Sequence, residues 1–180
     1  MKVREIESTC VVSEEDCTRN LRVSLSLDLP HCKELPERTD KLAIVAAGPS
    51  VPDFLDEIRT FQHVWAINGA YGYLIDQGIM PTGVVLADPL STLAGYFVKA
   101  DKRTTFYASG LCDPSVFKAL AGFDVQLWFP VQDAVPALKD CPTISGGTTA
   151  VTRAPFLAKY LGFRDVTLFG VDSSYDQGRY

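Results

Sequence analysis

The chain has 180 residues, 47% of them hydrophobic and 22% charged, which is enough for one domain around one core and excludes wholesale disorder. Its 17 basic residues are scattered against 22 acidic ones, for a net charge of −5, and the longest basic run is Lys102-Arg103. A nucleic-acid polymer is thereby excluded as a partner, because such binding needs clustered Lys and Arg to neutralise phosphates. A single nucleotide is not, since backbone amides at a helix N-terminus hold phosphate without a basic patch. No apolar run approaches the roughly 20 residues that span a bilayer. Met1-Lys2-Val3-Arg4-Glu5 leads into polar sequence rather than an apolar signal core, so the expected location is the cytoplasm. Cys10, Cys17, Cys32, Cys112 and Cys141 are odd in number and form no C-x-x-C pair, which reads as reduced thiols without a structural metal.

In chain order, Ser13-Glu14-Glu15-Asp16 offers an N-cap and an acidic first turn for a helix running to about Leu27. Residues 28–40, with two prolines and several acidic residues, read as a linker. Residues 1–40 are therefore expected to form a helical arm laid against a body at 41–180. From Leu42 onward, short apolar β-rich runs alternate with helical stretches. The runs are 42–47, 63–68, 83–87, 104–109, 124–128 and 165–170; the stretches are 51–60, 71–77, 90–100, 114–121 and 149–161. This texture predicts βαβ units: a doubly wound α/β fold with about six mostly parallel strands, covered on both faces. Asp113-Pro114 suits an N-cap followed by proline at the first helical position. Gly78 and Gly162 suit left-handed residues after a helix. Pro155 inside 149–161 points to a later helix start near Arg153 or Ala154. The last run is not followed by a covering helix, so the chain is expected to be a fragment, or a second copy or C-terminal partner domain is expected to cover that strand.

Ligands of open α/β sheets lie beyond the carboxyl ends of the strands. Small and polar residues gather there. Gly48-Pro49-Ser50 makes a tight strand-to-helix turn with a hydroxyl and free amides. It is neither a G-x-G-x-x-G loop nor a Walker A loop, since no Gly-Lys-Ser/Thr occurs. Asn68-Gly69 follows the second run, and Asn68 carries both donors and acceptors for a base or sugar. Ser145-Gly146-Gly147-Thr148-Thr149 opens a helix and can cup an anion with amides and hydroxyls. Asp88 and Asp172 each follow a strand directly, where a carboxylate can hold Mg²⁺, bond a ribose hydroxyl or act as a base. His63 reads as structural. Tyr71, Tyr73 and Tyr96 read as packing residues rather than stacking platforms. No G-x-S-x-G elbow is present, which excludes an esterase of that type.

The succession 43–50 (AIVAAGPS), 67–70 (INGA), 85–89 (VLADP) and 168–175 (LFGVDSSY) resembles the MptE-like Rossmann family, formerly the DUF115 domain. That family includes archaeal 6-hydroxymethylpterin diphosphokinases and motility-associated glycosyltransferases, and is distantly similar to bacterial sialyltransferases. The resemblance implies that Gly48, Pro49 and Ser50 contact nucleotide phosphate or ribose, and that Asn68 contacts nucleotide or sugar. It further implies that Gly146, Gly147 and Thr148 line the nucleotide pocket, that Asp88 faces the active centre, and that Asp172 is a catalytic or metal-binding carboxylate. Ala46 stands where glycine is common, and family members usually continue past Gly178-Arg179 to a histidine. The expectation is a nucleotide-dependent transferase using ATP and Mg²⁺ on a pterin-like hydroxyl. The alternatives are a glycosyltransferase using a CMP-sugar and a non-catalytic nucleotide- or sugar-binding module. A methyltransferase is disfavoured by the lack of a G-x-G-x-G loop.

Overall fold

The computed structural model describes residues 12–130, 138 and 141–172. Seven parallel strands form one sheet: β1 (Arg38–Val45), β2 (His63–Ile67), β3 (Gly83–Leu86), β4 (Thr105–Ser109), β5 (Asp124–Pro130), β6 (Thr143–Ile144) and β7 (Phe163–Phe169). Their spatial order is β6-β5-β4-β3-β2-β1-β7. The helices are α1 (Glu14–Ser26), α2 (Leu55–Ile58), α3 (Ala70–Asp76), α4 (Pro114–Ala119) and α5 (Ala150–Tyr160), with 3₁₀ turns at Val51–Phe54 and Ser91–Phe97.

The layering follows from handedness. The connections from β1 through β5 all step in one direction, so right-handed crossovers place them on one face of the sheet. There Ala43, Val45, Val64, Ala66, Val84, Leu86 and Phe106 meet the helices, with Tyr71, Leu74, Leu93, Phe97 and Val116 beneath them. After β6 the chain returns in the opposite direction, so α5 lies on the other face. Ala154, Leu157 and Ala158 of α5, with Leu161 just after it, cover Leu42, Ile44, Trp65, Ile67 and Val85. Residues 42–45 of β1 are buried on both sides, which explains their unbroken apolar run.

Residues 30–37 are more than a linker. Pro30 and Cys32 exchange backbone hydrogen bonds with Leu127 of β5, making a parallel bridge at His31. The chain then crosses to the other side of the sheet, where Leu35 N–H donates to the Tyr160 carbonyl and Arg38 opens β1. Three residues read as linker, 38–40, therefore belong to a strand. There the Arg38 Nη2 donates to His63 Nε2 at 3.0 Å. Burial holds the His63 imidazole below its ordinary pKa. His63 is structural, as expected, and lies at the amino end of the sheet.

Four expectations are corrected. The sheet has seven strands rather than about six, because the two-residue β6 is too short to show a pattern. Stretch 51–60 divides into a 3₁₀ turn and the equally short α2, and 90–100 holds a 3₁₀ turn instead of an α-helix; the short connections and Gly95 disfavour longer α-helices. Helix α5 runs through Pro155, because Thr149 caps it in a reciprocal box with Thr152 and so sets an earlier start. The arm's boundary shifts as described. Gly78 and Gly162 take φ of 73° and 91°, as their helix-terminal positions require. Among the described residues no helix is long and apolar enough to cross a membrane. Cys32 and Cys112 are buried thiols, and desolvation pushes Cys32 up to about 12. Cys10, Ser173 to Tyr175, the Gly178-Arg179 pair and the expected cover beyond β7 lie outside the described residues.

Helix α1 closes part of the carboxyl edge of the sheet. Ser13 caps it, accepting the Asp16 N–H. Its buried Asn20 donates to the carbonyls of Pro89 (3.3 Å) and Leu111 (3.1 Å), which follow β3 and β4. Buried Ser24 donates to the Gly110 carbonyl at 2.9 Å. These bonds tie the loops after β3 and β4 to the arm. Asn20→Ala leaves two carbonyls without donors and is expected to destabilise the fold by about 1–3 kcal/mol. A urea midpoint unchanged from wild type would show that α1 is not bound in this way.

Candidate functional site

The chain leaves β1 toward β2 and returns to β7 on the opposite side. The carboxyl ends of β1 and β7 therefore form the topological switch point of the sheet, where a crevice is expected. The ladder continues past both strands: the Ala46 N–H donates to the Phe169 carbonyl and the Gly48 N–H to the Gly170 carbonyl, each at 2.9 Å. This close approach admits only glycine at position 48. A Cβ there would stand 2.2 Å from Asp172 Oδ2 and 2.4 Å from the Gly170 carbonyl oxygen. Gly170 itself has φ +67°, which turns the chain so that Asp172 reaches back over the β1 turn.

Asp172 is held there by Ser50. The Ser50 N–H donates to Oδ2 at 3.0 Å, and the Ser50 hydroxyl lies 2.7 Å from Oδ1 and 2.8 Å from Oδ2. The backbone and hydroxyl bonds from Ser50 lower the Asp172 pKa, and the carboxylate remains solvent-exposed and ionised. The turn that reads as an anion cradle thus already holds an anion, supplied by the chain.

One strand further along, Asn68 has φ +45°, a left-handed conformation for a non-glycine residue. Its Oδ1 accepts the Ala87 N–H at 3.3 Å, and its own N–H donates to Val85. Because Ala87 N–H can only donate, the carboxamide orientation is determined and Nδ2 remains a donor. Gly69 follows under the ring of Tyr96. Asp88 accepts the Leu90 N–H at 2.9 Å, closing a local turn. Its parent strand β3 is separated from β7 by β2 and β1, so the two strand ends are about 14 Å apart.

The Ser145–Thr149 loop follows β6. Gly146 and Gly147 have φ of 112° and 79°, and Thr149 caps α5. Ser145, Gly147 and Thr148 are exposed. Arg153, one turn into α5, donates from Nε to the Gly147 carbonyl at 2.7 Å. No hydrogen bond among the described residues joins this loop to Ser50, Asn68 or Asp88.

The family model for 6-hydroxymethylpterin diphosphokinase MptE-like proteins matches residues 16–178. The chain belongs to the MptE-like family. Its fold is shared with a solved structure, the MAf glycosyltransferase from Magnetospirillum magneticum AMB-1, at TM-score 0.69 and 18% identity over 92% of this chain. The chain spans 29% of that protein's length. No curated protein matches the sequence.

Within the MptE-like fold, the structure joins Gly48, Ser50 and Asp172 in direct contact and places Asn68-Gly69 on the adjacent strand. It leaves Asp88 and the Ser145–Thr148 loop in turns of their own. No group of three or more His, Cys, Asp or Glu suited to a metal occurs among the described residues. Surface depressions along the outer face of α1 and beside Cys32 and Cys141 include none of the candidate residues. Two further residues lie at this edge, Arg153 and Tyr96, and the sequence marks the second only for packing. Arg153 was one of many scattered cations, and only its position one turn after a Gly-Gly loop could have marked it. Tyr96 was judged by helical spacing, which the 3₁₀ turn does not obey.

The Gly48 contact has a direct test. Gly48→Ala is expected to destabilise the fold and displace Asp172, whereas Gly72→Ala, whose Cβ would meet nothing within 4 Å, should be neutral or stabilising by about 0.5–1 kcal/mol. Equal urea midpoints for the two variants would refute the close approach. For Asp172, a lowered carboxyl pKa means that its contact stabilises the fold above the ordinary carboxylate value and is lost as pH falls through the folded value. The stability difference between wild type and Ser50→Ala should therefore be largest at neutral pH and shrink as the pH falls below the ordinary carboxylate range. A pH-independent difference would rule this out.

Proposed function

We propose that this chain is a nucleotide-dependent transferase of the diphosphokinase kind, acting on ATP and a pterin-like hydroxyl substrate. The observation that carries the reading is the Ser50-anchored carboxylate of Asp172 at the switch point; the MptE-like family model supports the reaction class. In this reaction the substrate hydroxyl oxygen attacks the β-phosphorus of ATP. The new P–O bond forms as the bond from that phosphorus to the α–β bridging oxygen breaks. AMP leaves with the electron pair, and the hydroxyl proton passes to water. The protein's share is positioning and charge neutralisation.

The electrostatics of Asp172 assign its part. A general base works best with a pKa near the operating pH, and Ser50 moves Asp172 the other way. Asp172 is thus suited to hold a cation or accept ribose hydroxyls rather than to remove a proton. A phosphate would be repelled by this carboxylate unless a cation stood between them. Mg²⁺, which binds through one or two carboxylates plus substrate phosphates, fits such a single, ionised, exposed carboxylate. When bound, Mg²⁺ neutralises developing phosphate charge. Asp88 would have to serve separately, given the spacing of the strands. Asn68 Nδ2 donates to nucleotide or sugar, and the Ser145–Thr148 loop with Arg153 supplies donors to an anion.

A second reading, glycosyl transfer from a CMP-sugar, is favoured by the fold shared with the MAf glycosyltransferase. There an acceptor oxygen attacks the anomeric carbon and CMP departs. Thermal unfolding with ATP–Mg²⁺, CMP and CDP separates the two. A ligand at about 100 times its Kd should add roughly 2.7 kcal/mol. A shift with ATP–Mg²⁺ alone supports diphosphoryl transfer, and one with CMP alone supports glycosyl transfer. Absence of any shift in folded protein sinks both. Asp172→Asn should weaken ATP–Mg²⁺ binding more than binding of metal-free ATP; equal effects would remove the cation-holding role.

A further inference from the structure

Tyr96 lies in the 3₁₀ turn Ser91–Phe97 that follows β3 and the Asp88-Pro89 turn. Its neighbours Leu93 and Phe97 are buried, whereas Tyr96 is 53% exposed. The ring nonetheless lies against Gly69. A Cβ added to Gly69 would stand 3.1 Å from Cε1 and 3.3 Å from both Cδ1 and Cζ. Three consecutive ring atoms at nearly equal distance mean that Gly69 lies under the face of the ring. An approach in the ring plane would leave the outer two atoms markedly farther than the middle one. Only a glycine permits this contact without displacing the ring, and Gly69 is the second residue beyond β2 at the carboxyl edge of the sheet.

The residue before it supplies a donor at the same place. Asn68 is held in its left-handed conformation, with Oδ1 committed to Ala87. Its Nδ2 makes no hydrogen bond among the described residues, and no buried side-chain polar atom lacks a partner, so Nδ2 faces solvent. The turn after β1, with Ser50 and Asp172, is one strand away, about 4.8 Å. An aromatic face seated on glycine, an amide donor beside it and an anchored carboxylate on the next strand follow the order of ring, sugar and phosphate in a nucleotide.

We infer that Tyr96 is a stacking platform for a planar heteroaromatic ring, its second face receiving the ring while Gly69 supports the first. The inference rests on the nucleotide-transferase reading and names the part of the ligand bound at the β2 end of that site. The ring could belong to the donor nucleotide or to a pterin acceptor, and the shared chemistry is a flat π-system carrying hydrogen-bond acceptors for Asn68 Nδ2. Aromatic stacking is tolerant of ring identity, because every such ring offers a π-face.

The test is titration calorimetry of wild type, Tyr96→Phe and Tyr96→Ala with ATP–Mg²⁺, CMP, 6-hydroxymethylpterin and, as a ring-free control, ribose 5-phosphate. Tyr96→Ala should weaken the ring-bearing ligand about 5- to 150-fold, Tyr96→Phe should retain it, and ribose 5-phosphate should bind all three alike. Whichever ring loses affinity identifies the source. Wild-type binding of a ring-bearing ligand with unchanged affinity in Tyr96→Ala overturns the platform and leaves the transferase reading standing. An equal loss of ribose 5-phosphate binding overturns it too, since the effect would then be structural. Wild type that binds none of the four removes the transferase reading and the platform with it.

Discussion

The pairing of β7 with β1 is the constraint on which the rest of the molecule depends. Right-handed crossovers carry the chain from β1 to β5 along one face, and only a return over the other face can bring a strand to the open side of β1. That return makes α5 the cover of the second face, where it meets Leu42, Ile44 and Trp65. It also puts the carboxyl ends of β1 and β7 side by side at the point where the strand order reverses, where an open sheet is expected to have its crevice. The glycines at 48 and 170 let the two chains run close enough for the ladder to continue beyond the strands.

The same pairing decides the electrostatics of the site. A glycine-rich turn at the end of a first strand attracts anions through its amides. Here the Ser50 amide and hydroxyl hold the carboxylate of Asp172 instead. The consequence is a fixed negative charge at a turn whose amides would otherwise be free to meet an anion. The arm contributes from a distance: Asn20 and Ser24 tie down the loops after β3 and β4, while the switch point is formed by β1 and β7.

Much of the fold was legible in the residues. Six of the seven strands showed as apolar runs, most clearly at residues 42–45 and in β2 and β3, where burial on both faces leaves few polar positions to break the pattern. The exception, β6, has two residues. The 3₁₀ turns were read as helices since apolar spacing over so few residues does not distinguish the two periods. Pro155 stands at the sixth position of α5, where it forgoes a helical bond to the Val151 carbonyl, and the Thr149–Thr152 box sets the start ahead of it despite that loss. At the site, Gly48, Ser50, Asn68 and Asp172 were legible as small and polar residues after strands. Arg153 and Tyr96 were not, since a single cation and a single tyrosine carry no pattern.

By itself the sequence determined the α/β class, the order of the elements and the edge of the sheet at which polar residues gather, because burial periodicity and turn chemistry are local. Which of those residues touch was decided only by the tertiary structure. Asp172 reaches Ser50 across 122 positions of chain, and that contact depends on β7 lying beside β1 rather than beside β6. Asp88 sits on a strand two removed from β1, so the two carboxylates that the sequence treats alike are placed apart. Spacing along the chain carries no information about strand order; the handedness of the crossovers and the packing of α5 do.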